Sequence, residues 1–377
     1  MSRRPPLPSA LIPAQAGATP DRREQGSALL YVLFLLAIVA ILAGSLLTAA
    51  ASESRIGGGR RDILTARLLA LHAAGTAAAR ADTGDLTRLA TGAAITLDSL
   101  TLQSFLLAAS IEPLPGGLLL ARGEASNAQS TAPPIAQRVG LLLRFPRLED
   151  LWPGELAALV SAGALDLQGA ELSDGLGATQ PLGCIPTYNA RAALTVASAD
   201  SLTADAATVI QGAVQVDSLL WMIRPPMRFN ELIGRADRVE QGALSLSPAG
   251  TSTCDESSPG NWGAPEDPRH PCAAYHPLVH APGDTDLVSG AGQGVLVVDG
   301  TLSLHAGVRF YGLIIVRGDF AVADGATITG SVIVLDGRSR VSGRVLFSDC
   351  AIARAVTHAP ALRRPIRADG RRWLPLY

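Results

Sequence analysis

Between Ser27 and Ala51 the chain runs 25 residues without a charged side chain. Coiled as a helix at 1.5 Å per residue, that run reaches about 38 Å, more than the roughly 30 Å of a bilayer's hydrocarbon core. A secretory signal uses an apolar region of about 7–15 residues. Ala49, Ala50 and Ala51 satisfy the loose A-x-A cleavage pattern, but the length marks a retained anchor. A soluble core helix of such length and uniformity is disfavoured. Arg3, Arg4, Arg22 and Arg23 precede the span, and Arg55, Arg60, Arg61 and Arg67 follow it. The positive-inside rule therefore does not orient it, and a long following domain translocates largely regardless of charge.

The cysteines speak to orientation instead. Cys184, Cys254, Cys272 and Cys350 all lie downstream of the span. An even count without C-x-x-C spacing fits two disulfides better than a zinc site, and disulfides place the C-terminal bulk in an oxidising compartment. Cys254 and Cys272 bracket a Pro- and Gly-rich loop and are the first candidate pair, although four cysteines allow three connectivities. With 377 residues there is chain for two or three domains beyond the anchor. Aromatics make up only 4%, so the core must be built from Ala, Val, Leu and Ile. The net charge of −2 exerts no overall pull toward nucleic acid. All 31 basic residues are arginine, which reads as the codon bias of a GC-rich genome rather than as anion recognition.

The stretch in front of the span, "RREQG" followed by "SALLYVLFLL", resembles a class III leader, the substrate of prepilin peptidase. That resemblance implies cleavage after Gly26 on the cytoplasmic side, an N-methylated Ser27 as first mature residue, loss of residues 1–26 and retention of the apolar helix. Residues 52–81, "SESRIGGGRRDILTARLLALHAAGTAAARA", are similar to the amphipathic half of the N-terminal helix of PilX-like minor pilins, with Glu53, Arg55, Ile56, Gly58, Arg61 and Asp62 at matching places. Two positions depart. Tyr31 stands at the fifth mature position, where most major pilins carry Glu, and Gly75 stands where the family commonly has Glu. The resemblance covers residues 23–81 and implies a long pilin-like helix over 27–81, membrane-embedded at 27–51.

Independently of any family, Ile56, Ile63, Leu64, Leu68 and Leu71 recur at helical spacing, predicting an apolar stripe that packs on the chain's own head. Three consecutive glycines, Gly57 to Gly59, each cost a helix about 1 kcal/mol relative to Ala, which predicts a break or kink there. Over residues 82–285 the runs 138–145, 164–172 and 212–223 read as strands. Residues 153–163, opened by Pro153, and 228–237 read as helices. Clusters at 113–117, 133–134 and 248–285 read as loops. The sum is an α+β head with long connections. Within it, His270, Cys272, His276 and His280 fall inside eleven residues, but Pro271 and Pro277 oppose the helix that would align them as metal ligands. A disulfided surface loop is the stronger reading.

The clearest pattern begins with "GVLVVDG" at Gly294, "GLIIVRG" at Gly312 and "GSVIVLDG" at Gly330, starting glycines 18 residues apart, with alternating runs at 301–310 and 319–330 between them. This is the signature of β-solenoid rungs. It predicts about three rungs over residues 286–350 and a tail at 351–377. Leu296, Val298, Ile314, Val316, Ile333 and Leu335 are expected inside. Asp299 would stack over Arg317, and Arg317 near Asp336, at about 4.8 Å steps. Polysaccharide lyases carry Asp and Arg on long β-helices, but three rungs leave little groove, so a surface charge ladder worth about 0–1 kcal/mol per pair is favoured. The module is similar to C-terminal parts of some PilX-like proteins and to the rungs of bactofilins.

No Walker loop, G-x-G-x-x-G, H-E-x-x-H or nucleophile elbow occurs. The expectation is a non-enzymatic subunit without cofactor or metal: a minor pilin-like protein of the inner membrane, its bulk in the periplasm, partnered by other pilins and by prepilin peptidase. A pseudopilin of a type II secretion system is built by the same physics. A stationary membrane anchor whose solenoid binds envelope polysaccharide is the reading from another class.

Overall fold

The computed structural model describes residues 24–81, 93–102, 105–127, 135–175, 184, 191–220, 229–250, 252–368 and 374–376. The leader expected at residues 1–26 lies outside them up to residue 23. The chain forms two compact units, residues 1–65 and residues 66–377.

The described part of the first unit is helical. It is the beginning of α1 (Glu24–Arg80), which continues through residues 57–59 without a break. The expected interruption at the three glycines is therefore corrected: the helical residues on either side carry the hydrogen bonding across a penalty that is spread over a very long element.

The second unit opens with the end of α1 lying on an antiparallel meander. Its strands are β1 (Ile95–Leu102), β2 (Phe105–Leu114), β3 (Leu118–Ser126) and β4 (Ala136–Arg144), paired in sequence order. The helix face turned to this sheet is alanine: Ala66, Ala70, Ala73, Ala74 and Ala77 are buried, whereas Leu68 is 67% exposed. Leucine would hold the helix away. On β3, a Cβ at Gly123 would stand 1.9 Å from the carbonyl oxygen of Ala70, so helix and sheet backbones meet at a distance only glycine permits. This corrects the expected packing of the leucine stripe. Ile63, Leu64 and Leu68 stay exposed, and of the stripe Leu71 alone packs against the meander core among the residues whose side chains are described.

After the short α2 (Leu148–Leu151) the chain enters a parallel solenoid. Its first segment holds β5 (Ala157–Ser161), β6 (Leu165–Leu167), β7 (Glu171–Ser173), β8 (Ala192–Val196), β9 (Leu202–Ala204), β10 (Val209–Gln211) and β11 (Ala213–Val216). The connection onward contains α3 (Phe229–Ile233). The second segment holds β12 (Arg238–Val239), β13 (Gly242–Leu246), β14 (Leu278–Ala281), β15 (Thr285–Val298), β16 (Leu302–Leu304), β17 (Arg309–Val316), β18 (Phe320–Val322), β19 (Thr327–Val334), β20 (Ser339–Val341) and β21 (Arg344–Phe347).

The two segments stack out of sequence order. The second ends where the first begins: β19 pairs β5, β20 pairs β6 and β21 pairs β7, all in parallel. One face of the stack therefore reads β12, β14, β15, β17, β19, β5, β8, β11. A single solenoid core thus runs from Ala158 to Phe347, where the 18-residue repeat alone predicts a module of 286–350 beside an α+β head. Residues 153–163 are corrected from helix to strand. Ala157 to Ser161 are all buried, because β5 lies between β19 and β8 with neighbours on both faces, the setting in which a strand reads as a continuous apolar run.

Register within the repeat is straight. Gly294, Gly312 and Gly330 align, as do Leu296, Ile314 and Val332, and Val298, Val316 and Val334. Val332 and Val334 therefore line the interior, and the expected Ile333 and Leu335 face the outside. That outer face is covered too. Leu313, Ile315 and Ile333 pack with Phe229 and Leu232 of α3 and with Ala355 and Val356 of α4 (Asp349–His358). At the β13 end, Trp262 inserts from the loop closed by Cys254–Cys272, fully buried, with its ring centroid 6.2 Å from that of Phe310. The expected tail is structured: beyond α4, β22 (Ile366–Arg367) and β23 (Leu374–Leu376) pair antiparallel with β4, tying the end of the chain to the meander.

Candidate functional site

The feature of α1 that bears on function is its bare apolar surface. Within Val32–Ser54 the most apolar 18 residues reach a mean hydropathy of 2.7, and the segment is long and apolar enough to cross a membrane. Its 23 residues rise about 34 Å. The large side chains from Val32 to Leu47 are 41–72% exposed. Three of its hydroxyls are satisfied within the helix: Ser45 Oγ donates to Leu42 O at 2.8 Å, Thr48 Oγ1 to Ser45 O at 2.8 Å and Ser52 Oγ to Ala49 O at 2.7 Å. The backbone and these three hydroxyls are thus paired within the helix, the condition for placing it in hydrocarbon. Gly26 and Ser27, the expected processing residues, lie in the first turn of α1.

The disulfides join Cys254 to Cys272, with Cα atoms 4.8 Å apart, and Cys184 to Cys350, with Cα atoms 5.7 Å apart. Cys272 is thereby committed, and the four residues of the His/Cys cluster go to different partners. His270 Nδ1 accepts from the Cys272 amide at 3.1 Å. His280 Nε2 lies 2.9 Å from Asp299 Oδ2. His276 Nδ1 lies 3.0 Å from Ala274 O, and its ring stacks on His358 with centroids 5.4 Å apart.

Asp299 and Arg317 form the expected step of a charge ladder, 3.1 Å apart. The register carries Leu335 rather than Asp336 beside Arg317, since Val316 pairs Val334. What the repeat did not reveal is the role of Arg317 beyond the solenoid. Its Nη2 donates to Asn230 Oδ1 at 3.1 Å and its guanidinium sits 5.1 Å from the Phe229 ring centroid. His280, Asp299 and Arg317 therefore clamp α3 against the outer sheet face. A sugar-cleaving face would need these groups turned to a free groove.

Burial sets two opposed titrations nearby. Burial, helped by His358 and Arg354, pushes His276 down to about 4. Burial likewise raises Asp237 to about 6, although its Oδ2 accepts from the Leu278 amide at 2.8 Å and Arg364 lies near. Between pH 4 and 6.5 the unfolded chain binds the His276 proton more strongly, so that contribution falls as pH drops, by about 3 kcal/mol in all. Between pH 3.8 and 6 the folded chain holds the Asp237 proton more strongly, so that contribution falls as pH rises, by about 3 kcal/mol. The two slopes cancel over about pH 4–6. We expect His276→Gln to lose stability as pH rises from 4 to 6 relative to the parent, and Asp237→Asn to lose it as pH falls through the same window. Urea unfolding at fixed pH reads both slopes; parallel profiles for the two variants would refute the assignment.

Comparison with known proteins adds little to this geometry. No protein-family model matches the chain. No curated protein matches it either. Among solved structures it is similar to the competence-associated pilin ComZ from Thermus thermophilus, at 11% identity, covering 75% of this chain and 86% of that chain, with a TM-score of 0.20. An overlap of that size assigns neither fold nor function.

Proposed function

We propose that the chain is a minor pilin-like structural subunit, stored in the inner membrane through α1 with its C-terminal bulk in the periplasm, and drawn into a type IV pilus or its initiating tip complex by helix packing. The observation that carries this reading is the division of labour along α1. From Val32 to Leu47 its large side chains are exposed among the described residues and suit lipid or sister helices, while from Ala66 its alanine face belongs to the meander. The two disulfides support an oxidising compartment for the second unit. Other pilins are the proposed partners of the apolar span, and prepilin peptidase that of the leader, with Gly26 before the cut and Ser27 after it.

N-terminal sequencing of the protein purified from membranes tests the reading. We expect a mature terminus at Ser27, and retention of all leader residues when Gly26 is replaced by valine. An intact Met1 terminus in a host with an active prepilin peptidase would remove the pilin reading and leave a stationary envelope anchor.

A further inference from the structure

A cavity of about 480 Å³ lies in the second unit between the end of α1, β4, α3 and the segment entering β22. Its floor is apolar and made of Ala78, Leu141 and Leu143, and its rim carries Arg235, Arg364 and Arg367 against the single carboxylate of Glu231. Three guanidiniums facing one carboxylate give the lining a net charge of +2. Arg235 is braced, with Nη1 donating to Pro365 O at 3.3 Å and Nη2 to Glu231 Oε1 at 2.5 Å. Arg364 and Arg367 flank that same proline, and Arg367 is fixed by the pairing of its backbone with Leu143. Asp237, which lies near Arg364, is turned to the Leu278 amide. Opposite the arginines α1 presents Gly75, and a Cβ built there would meet nothing within 4 Å, so the helix side of the cavity is open.

Gathering like charges over an apolar floor focuses a positive potential in the cleft. Guanidinium forks match the two oxygens of carboxylates and phosphates. A cavity of a few hundred Å³ with apolar walls and a few convergent polar groups is the form of a small-molecule site. We propose that this cavity binds an organic oxyanion, a carboxylate or phosphate group on a small, partly apolar body, with the charge on Arg364 and Arg367 and the body over Leu141 and Leu143. The inference is independent of how the subunit assembles.

The test uses the full chain in neutral detergent, with phenyl phosphate and benzoate as probes, benzyl alcohol as neutral control and sodium chloride at matched ionic strength. A probe at ten times its Kd is expected to raise the melting temperature by roughly 2–4 °C, with no such rise for benzyl alcohol or chloride. Arg364→Ala/Arg367→Ala, two exposed positions, should still melt cooperatively and weaken probe affinity at least tenfold. Gly75→Glu tethers a carboxylate at the open side: it should melt higher than Gly75→Gln and no longer respond to the probes. Dihexanoyl phosphatidylglycerol separates the sources of the anion. Binding of that lipid alone assigns a headgroup, and binding of the aromatic anions alone assigns a soluble compound. A response to phenyl phosphate, benzoate and the lipid alike no larger than that to chloride, or one that persists in the double arginine variant or in Gly75→Glu, overturns the proposal.

Discussion

Gly312→Val is expected to cost the folded state about 4 kcal/mol or more, enough to unfold a large share of the population at physiological temperature. Gly312 sits in the middle of β17 at φ +136, between Gly294 at +126 and Gly330 at +148. These values lie where a side chain strains the backbone. Steric contact adds to the strain: a Cβ at Gly312 would stand 2.1 Å from Gly294 O and 3.1 Å from Ala355 Cβ of α4. Neither the rung below nor the helix outside can yield without breaking its own pairing. Gly307 supplies the control. Its φ is +83 but no atom lies within 4 Å of a built Cβ, so Gly307→Ala should cost only about 1–2 kcal/mol. Chemical denaturation of the two variants separates strain from collision, and equal losses would show that the stacked glycines are not the constraint.

Loss of the Cys184–Cys350 disulfide should be comparably damaging, and more so than loss of Cys254–Cys272. The first link closes 166 residues and the second 18. On the chain-entropy account these restrict the unfolded ensemble by about 5 and about 3 kcal/mol respectively. The longer link also joins the β7–β8 connection of one solenoid segment to α4, which follows the other. It thereby holds together the rungs that meet out of sequence order at β5 and β19. Cys184→Ser/Cys350→Ser should therefore lower the unfolding midpoint more than Cys254→Ser/Cys272→Ser, and should separate unfolding into two transitions. A single transition with the larger loss in the second variant would contradict this account.

The arginine cavity was not legible beforehand because its walls come from residues 75–79, 141–143, 231–235 and 364–367, brought together by tertiary packing. Arginine content by itself does not show that three guanidiniums share one cleft. A start signal for α4 was present in Ser348 and Asp349, and the Ser348 hydroxyl does accept from the Ala351 amide. That signal falls within 286–350, where the repeat predicts rungs.

What the sequence alone determined is local or periodic. Twenty-five uncharged residues dictate a helix suited to hydrocarbon, since only there is such a surface cheap to expose. Glycines spaced by 18 dictate the register of β15, β17 and β19, since each must lie under the next. Tertiary structure decided what has no period or parity. Strands β5 to β11 are three to five residues long at unequal intervals, so nothing in their spacing announces rungs. Their place emerges only when β19 offers an edge to β5. Both faces of the main sheet are covered, so Val332 and Ile333 look alike in sequence, and only stacking assigns one inward and the other outward. The helix buries alanine instead of leucine for the same reason: Gly123, more than fifty residues away along the chain from Ala70, sets how close the two backbones come.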